Sequence, residues 1–131
     1  MERKTRQHEA IYAALSKAGR PLLAQEIFAL STEAVPQLSL ATVYRNIKAL
    51  QEEGLIKAVL LPGQNPRYEL VSLDHAEHAH HHYFQCRECE RVFDLETCPG
   101  NLDKLAPNGF LVEDHEIILY GRCEPCATAL T

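Results

Sequence analysis

Two C-x-x-C pairs in the second half of the chain constrain its fold more than any other feature. Cys86 and Cys89 form the first pair, and Cys123 and Cys126 form the second. Each turn brings two thiolates to one side, and two such turns supply the tetrahedral four-sulfur shell of a structural zinc site. A closed shell leaves no position for a reactant, so we expect this zinc to stabilise the fold. The alternative is four buried cysteines without a metal.

Cysteine usage and the apolar pattern predict the cellular compartment. The 131-residue chain has five cysteines, an odd number that favours metal binding in a reducing cytosol over a disulfide framework. A thioredoxin-like redox motif explains one C-x-x-C pair but not two. The N-terminus is polar, without the apolar stretch of a secretory signal, and the longest apolar run is too short to span a bilayer. We therefore expect a cytoplasmic protein with no membrane partner.

The net charge of −5 is unevenly distributed. Residues 1–61 contain eight basic and six acidic residues, whereas residues 62–131 contain five basic and twelve acidic ones. Only the first half, at +2, is compatible with a phosphate backbone. Because this half is only mildly basic, tight binding to DNA requires the paired surfaces of a dimer.

The first helices are predicted from apolar spacing. Residues 8–18 place apolar side chains along one helix face, and Gly19 is a natural C-terminal stop. After Pro21, a second helix places Leu23, Ile27 and Leu30 on one face. Two short helices in succession are typical of the start of a helix-turn-helix unit.

A third helix and a hairpin complete this pattern. Ser39 suits the N-cap of a helix that runs to about Glu53. Strands over residues 55–61 and 67–71 flank a turn rich in proline and glycine. Helix, helix, recognition helix and two-stranded wing is the winged-helix order.

The third helix has one face for the core and one for a ligand. Val43, Ile47 and Leu50 recur at i, i+4 and i+7 and are expected to face the core. Polar and aromatic side chains on the remaining surface suit guanine edges, thymine methyls and phosphates. An ordinary solvated helix face is the alternative. The candidate DNA contacts are Ser39, Thr42, Tyr44, Arg45 and Lys48.

The second half is predicted to be a linker followed by a small domain that a structural zinc stabilises. Residues 83–86 and 91–95 are expected to form a hairpin, followed by a short helix near 101–105 and a strand over 116–120. The predicted fold class is therefore α+β. The chain divides into a winged-helix domain, a histidine-rich hinge or linker, and a metal-binding domain: residues 1–72, 73–82 and 83–131.

A cluster of histidines shortly before the first C-x-x-C pair and the fifth cysteine indicate a second metal site. On an extended strand His80 and His82 point to the same side, while His81 points away. Cys98 as a thiolate would complete a tetrahedral shell with His80, His82 and His115, and zinc favours such ligands. A solvated histidine tract is the alternative for the histidines. Cys98 could instead be a small buried side chain or a redox-sensitive thiol.

With these residues identified, the chain resembles the ferric uptake regulator family over almost its whole length. The resemblance implies a homodimeric repressor whose winged helix binds operator DNA and whose C-terminal α/β domain dimerises. It also implies a regulatory metal between the domains that sets the dimer into a DNA-gripping shape. The motifs that carry the resemblance are Leu40–Arg45, Arg67–Leu70, the histidine-rich run before Cys86, and His115 to Cys126.

The family's metal ligands match this chain unevenly. One of its two sites corresponds to His80, His82 and His115, with Cys98 where the family has an acidic residue. A second, hinge site is altered, because Tyr83 and Pro21 stand where the family has histidines, and His8 stands where it has an arginine. The candidate ligands of this second regulatory site are Glu69, His75, His78, His81 and Asp94, with His75 or His78 as replacements for the missing histidines.

The sequence thus predicts a zinc-responsive repressor of metal-uptake genes that is not an enzyme and has no small-molecule substrate. An iron- or peroxide-responsive repressor of the same family, with Fe²⁺ or Mn²⁺ as the regulatory metal, is the alternative. A zinc hydrolase with His80, His82 and His115 as ligands and Glu77 or Glu116 as base leaves the winged helix unexplained. A zinc-ribbon adaptor that binds only proteins would lack a salt-dependent affinity for duplex DNA.

Overall fold

The computed structural model describes residues 2–71, 82–95, 97–100 and 102–129. The chain divides into two compact units, Met1–Leu73 and Asp74–Thr131. No helix within the described ranges has both the length and the apolar character needed to cross a bilayer. The predicted linker, residues 73–82, lies outside the described residues except for His82, which begins a strand.

The first unit has the winged-helix arrangement that the sequence predicts. Strands β2 and β3 pair antiparallel to form the wing, and β1 adds to the other edge of β3, so the sheet order is β1-β3-β2. The elements in chain order are α1 (Glu2–Ala18), β1 (Leu22–Leu23), α2 (Ala24–Ser31), α3 (Leu40–Glu52), β2 (Ile56–Val59) and β3 (Arg67–Leu70).

Helix α3 begins and ends where its sequence requires. The Ser39 hydroxyl oxygen accepts a hydrogen bond from the Thr42 backbone amide at 3.1 Å, which satisfies one of the free N–H groups of the first turn. Gly54, with φ +77°, ends the helix in the left-handed region that favours glycine. The apolar face joins a core built from all three helices and the sheet: Ile11, Leu15, Leu22, Ala24, Ile27, Val35, Leu38, Val43, Ile47, Leu50, Ile56 and Tyr68.

The structure corrects two details of the first unit. Helix α1 begins at Glu2, six residues before the predicted start. The inner face of α2 consists of Ala24, Ile27 and Ser31, whereas Leu30 is 40% exposed. Leu23 belongs to β1, so the helix begins one residue later than the apolar pattern suggests, and the residues at i, i+3 and i+7 from Ala24 face the core.

The second unit is a small mixed sheet with short helical segments. The predicted hairpin is confirmed, since β4 and β5 pair antiparallel, while β6 pairs with β4 in parallel, in the order β5-β4-β6. The predicted short helix is a single 3-10 turn, and the predicted last strand begins two residues later. The bounds are β4 (His82–Cys86), β5 (Val92–Leu95), the 3-10 helix (Asp103–Leu105), β6 (Ile118–Gly121) and α4 (Glu124–Thr128).

The described part of the second unit buries little apolar surface within itself. Cys86 and Val92 are its fully buried apolar residues among those described. Leu105, Phe110 and Leu111 are exposed. Small domains with so little core generally need a metal, disulfides or a partner subunit to stay folded.

The buried face of α3 should dominate the stability of the first unit. Replacing Leu50 with alanine removes a fully buried side chain, so we expect the free energy of unfolding to fall by about 2–5 kcal/mol. The matched control is Leu60→Ala, because Leu60 is 73% exposed beside the wing turn and its loss should change stability by less than about 0.5 kcal/mol. Urea titrations followed by far-ultraviolet circular dichroism, which reports the helices, measure both. Equal effects of the two substitutions would contradict the packing described.

Candidate metal centres and recognition helix

The four cysteines of the two C-x-x-C pairs converge on one point. Cys86 ends β4, Cys89 lies in the following turn, Cys123 precedes α4 and Cys126 lies within it. The four sulfur atoms all lie within 4.8 Å of one another. The Cys89 and Cys123 sulfurs are 3.7 Å apart. This matches the edge of about 3.8 Å expected of a tetrahedron with zinc–sulfur bonds of about 2.3 Å.

Electrostatics at this cluster favour a bound cation. A hydrogen bond from the Cys89 backbone amide lowers the pKa of the Cys86 thiol to about 6. A hydrogen bond with Cys123, together with burial, raises the pKa of the Cys126 thiol to about 12. The group therefore loses its first proton easily and resists losing its last, because backbone amides stabilise the Cys86 thiolate whereas a shared hydrogen bond and burial oppose ionisation of Cys126. A divalent cation at the centre stabilises all four thiolates, so the donor set fits structural zinc.

A second cluster joins three of the four predicted sensing ligands. Cys98 Sγ lies 3.4 Å from His82 Nε2 and 3.3 Å from His115 Nε2. The two imidazole rings stack with centroids 4.9 Å apart and planes inclined by 18°. Neighbouring nitrogen and sulfur ligands of a tetrahedral zinc are about 3.5 Å apart, so these donors fit zinc.

Backbone pairing builds this second cluster. His82 begins β4 and is buried, and the Tyr83 amide donates to the Ile117 carbonyl at 2.9 Å, which draws the His115 segment alongside. The Ile117 amide donates to His82 Nδ1 at 3.0 Å. A neutral ring in this arrangement carries its proton on Nε2. A neutral ring that binds a metal through Nε2 would carry the proton on Nδ1 instead and would no longer accept from the Ile117 amide.

Two of the remaining predicted metal ligands lie within the described residues, one in each unit. His75, His78, His80 and His81 lie outside those residues. Asp94 lies on β5, in the second unit. Glu69 lies on β3, in the first unit, where its carboxylate is buried and pairs with Lys57 at 3.5 Å.

The polar face of α3 presents the predicted DNA-contacting residues to solvent. Tyr44, Arg45 and Lys48 are exposed, and Thr42 is half-buried. The Arg45 guanidinium donates to the Thr42 hydroxyl at 3.0 Å, which orients its fork along the helix. Ser39, which also belongs to the predicted set, is exposed and caps the helix.

Sequence reasoning missed a polar contact between α1 and α3. Asn46 is buried on the inner face of α3, and its side-chain oxygen lies 3.1 Å from His8 Nδ1. His8 Nε2 lies 3.4 Å from the Glu53 carboxylate. The detectable signal was a polar residue between the core positions Val43 and Ile47, since an asparagine at that spacing needs a partner.

Known proteins match this chain in sequence. The sequence model of the ferric uptake regulator family matches residues 2–120. The peroxide operon regulator of Bacillus subtilis is 30% identical over 129 residues, which cover 95% of this chain and 84% of that protein. The transcriptional regulator FurA of Mycobacterium tuberculosis is 31% identical over 110 residues, or 82% of this chain and 71% of that protein.

Solved structures share the fold. A zinc-bound manganese uptake regulator superposes with a TM-score of 0.72 at 23% identity, over 89% of this chain and 87% of that one. A zinc uptake regulator in complex with zinc and DNA superposes with a TM-score of 0.61 at 26% identity, over 95% of this chain and 83% of that one. Membership of a family of transcriptional regulators confirms the expectation that the protein is not an enzyme. The chain belongs to the ferric uptake regulator family.

Proposed function

We propose that this protein is a zinc-responsive repressor that binds operator DNA as a homodimer and controls metal-uptake genes. The observation that carries the proposal is the convergence of His82, Cys98 and His115 in a member of a regulator family. Metal binding switches such a protein only if the metal binds the DNA-competent state more tightly than the other state.

The Cys86, Cys89, Cys123 and Cys126 cluster holds a structural zinc in this proposal. Its four sulfur donors close the coordination shell, so the ion takes no part in sensing. The small apolar core of the second unit gives this zinc its importance, because metal binding there contributes directly to folding.

Regulatory zinc is held by His80, His82, Cys98 and His115. Three of these donors already lie within reach of one another, and His80 is the fourth in our assignment. A thiolate among imidazoles is a soft, tetrahedral donor set that suits zinc, whereas Fe²⁺ and Mn²⁺ favour more oxygen ligands.

A second regulatory site at Glu69, His75, His78, His81 and Asp94 is the weaker part of the proposal. The Glu69 carboxylate is buried against the Lys57 ammonium. A metal there would have to displace a cation that already satisfies the carboxylate. We therefore assign sensing to the cysteine-containing site.

Helix α3 reads the operator in this proposal, through Thr42, Tyr44, Arg45 and Lys48, with Ser39 fixing its first turn. Exposure of these side chains on one helix face supports it, as does the likeness to a zinc uptake regulator solved with DNA. Arginine in the major groove bonds guanine in a bidentate manner, and the others suit phosphates and thymine methyls.

A homodimer follows from charge and exposed apolar surface. The basic half of the chain is too weakly charged to hold DNA tightly alone, so two copies are needed. Leu105, Phe110 and Leu111 form an exposed apolar stretch in the second unit that a second copy would cover. We place the protein in the cytoplasm, where its thiols stay reduced.

An iron- or peroxide-responsive repressor is the second candidate. The similarity to the peroxide operon regulator of Bacillus subtilis favours it. It requires a regulatory site of nitrogen and oxygen ligands, which Glu69, His81 and Asp94 would supply, and it leaves Cys98 without a role in metal binding.

The structural zinc should depend on Cys126 and not on Cys98. We expect Cys126→Ser to lose the tightly held zinc, because three thiolates no longer close the shell. The part of the circular dichroism signal that comes from the secondary structure of the second unit should be lost with it. Cys98→Ser is the matched control and should retain one zinc per chain after chelation with a mild chelator. Metal analysis and circular dichroism measure both variants. Retention of the tight zinc by Cys126→Ser would contradict the assignment.

Cys98 should decide the response to zinc. With one structural zinc bound, added zinc is expected to raise wild-type affinity for duplex DNA at least tenfold, and Cys98→Ala should abolish this gain. The probe is a duplex selected from a random-sequence library by the zinc-loaded protein, and fluorescence anisotropy measures binding. Equal activation by Fe²⁺ in both proteins would favour the iron- or peroxide-responsive candidate instead.

Arg45 should carry much of the DNA recognition. Arg45→Ala is expected to weaken binding to the selected duplex by about 1–3 kcal/mol, the worth of one bidentate base contact. Arg91→Ala, which removes an exposed arginine of the second unit, is the control and should leave affinity nearly unchanged. Similar losses in both variants would indicate non-specific electrostatic binding, with no special role for α3.

A further inference from the structure

We propose that His8 is a positioning residue whose protonated ring holds the recognition helix α3 against α1. The consequence for DNA rests on the proposed function of α3. The bridge itself lies within the first unit and can be measured without DNA.

The ring of His8 contacts Asn46 of α3 and Glu53, the residue that caps the C-terminus of α3 about two helical turns later. Its Nδ1 lies 3.1 Å from the Asn46 side-chain oxygen, and its Nε2 lies 3.4 Å from a Glu53 carboxylate oxygen. Asn46 is buried, whereas the His8 and Glu53 side chains are 27% and 52% exposed. The Asn46 contact is therefore the stronger one, and the Glu53 contact is partly screened by solvent.

The chemistry of the partners fixes which ring atoms carry protons. The Asn46 side-chain nitrogen donates to the Thr42 carbonyl at 2.9 Å, so the Asn46 oxygen must be the atom that faces His8 and accepts. His8 Nδ1 therefore carries a proton. The Glu53 carboxylate also only accepts, so the second bond requires a proton on Nε2. Both bonds form together only when the ring is an imidazolium.

Loss of one proton breaks one arm of the bridge. The neutral ring keeps its proton on Nδ1, because leaving the buried Asn46 oxygen without a donor is costly. The Nε2 lone pair then faces the Glu53 carboxylate. The neutral ring should thus adopt the Nδ1–H form and hold α3 at Asn46 alone.

The bridge acts on the part of α3 that presents the DNA-contacting residues. Asn46 directly follows Arg45 and lies one turn after Thr42, so its attachment to α1 fixes the rotation of the exposed face. The last turn of α3 contains no basic residue, and a cation at Glu53 complements the negative end of the helix dipole.

Other ionisable groups on the elements around α1 have partners of their own. Glu26 of α2 pairs with Arg20 at 3.1 Å, and Glu69 of β3 pairs with Lys57 at 3.5 Å. Arg67 of β3 donates to Gln64 at 2.8 Å. Tyr12 lies one turn from His8 on α1, and Glu52 beside Glu53 is exposed. Glu53 is the charged group placed against the ring among the described side chains.

This arrangement gives DNA binding a pH dependence separate from that of metal binding. Histidine changes charge between about pH 5 and 8. Protons oppose metal binding, since the ligands must be deprotonated, whereas protons complete the His8 bridge. In the metal-saturated protein the charged ring holds both Asn46 and Glu53, whereas the neutral ring holds Asn46 alone, so the contribution of the Glu53 contact to DNA affinity should fall when the ring loses its proton.

The first test is the ring itself, by nitrogen-15 NMR of the full-length, zinc-loaded protein, with His8→Gln used to assign the signals. We expect both His8 ring nitrogens to carry a proton in the charged ring, and the neutral ring to carry its proton on Nδ1. A neutral ring protonated on Nε2 would overturn the proposal, because Asn46 would then lack a donor.

The second test is DNA affinity between pH 6 and 8 at saturating zinc, on the duplex selected from a random-sequence library. His8→Arg keeps a permanent cation that can donate to both partners, so wild type and His8→Arg should bind alike at pH 6. At pH 8 we expect wild type to bind roughly two- to five-fold more weakly, the scale of a partly exposed ion pair. When Glu53→Gln is introduced into both proteins, the DNA affinities of the wild-type and His8→Arg backgrounds should depend on pH in the same way.

Three outcomes would decide against the positioning role. The role is overturned if the ratio of the DNA affinities of wild type and His8→Arg does not change with pH. The slope of the logarithm of the DNA-binding constant against the logarithm of salt concentration is a second criterion. If His8→Gln changes this slope by about one relative to wild type, His8 contacts a phosphate directly, and the positioning role is overturned. If no duplex is selected at all, the proposed DNA binding fails, and the ring protonation measured by NMR still decides whether the bridge exists.

Discussion

Mutual repulsion among four converging thiolates is the constraint on which the second unit depends. Four sulfur atoms within 4.8 Å cannot all be charged without a cation. Backbone amides lower the pKa of Cys86 to about 6, while the hydrogen bond with Cys123 and burial raise the pKa of Cys126 to about 12, so the four thiols do not all ionise together. Only two apolar residues of the described part of this unit are fully buried. The cluster also joins the end of β4 to the segment after β6. A metal there therefore replaces the core that so short a unit cannot build.

The same strand links this cluster to the one we propose for sensing. β4 begins at His82 and ends at Cys86, so the two clusters are four residues apart on one strand. Parallel pairing of β4 with β6 brings His115 alongside His82, and the hydrogen bonds of Tyr83 and Ile117 fix that register. A structural site that holds both strands thus also sets the spacing of the second cluster. This accounts for a sensing set with stacked rings and one sulfur in a unit that is otherwise weakly packed.

Much of the fold was predictable from sequence, and most of the exceptions depend on contacts between distant residues. Local chemistry predicted α3 from Ser39 to Gly54, the wing, the hairpin and the grouping of His82, Cys98 and His115. Strand β1, only two residues long, exists because β3 offers it partners far along the chain. The parallel register of β6 and the bridge from His8 to Asn46 also depend on distant contacts that no local pattern encodes. Helix α4 was hidden because Pro125, at its first turn, resembles a loop residue in sequence and is well placed in structure.

The structural and sensing roles that we propose for the two clusters follow from what a switch requires. A closed four-sulfur site that the fold needs is occupied in every folded state, so it cannot shift the balance between two of them. A sensing site must instead be complete in one state and incomplete in the other. Three proposed ligands lie among the described residues of the second unit, while His80 belongs to the histidine-rich linker that the sequence predicts. Recruiting that fourth ligand would tie metal occupancy to the conformation of the connection, which is where a signal to the winged helix must pass.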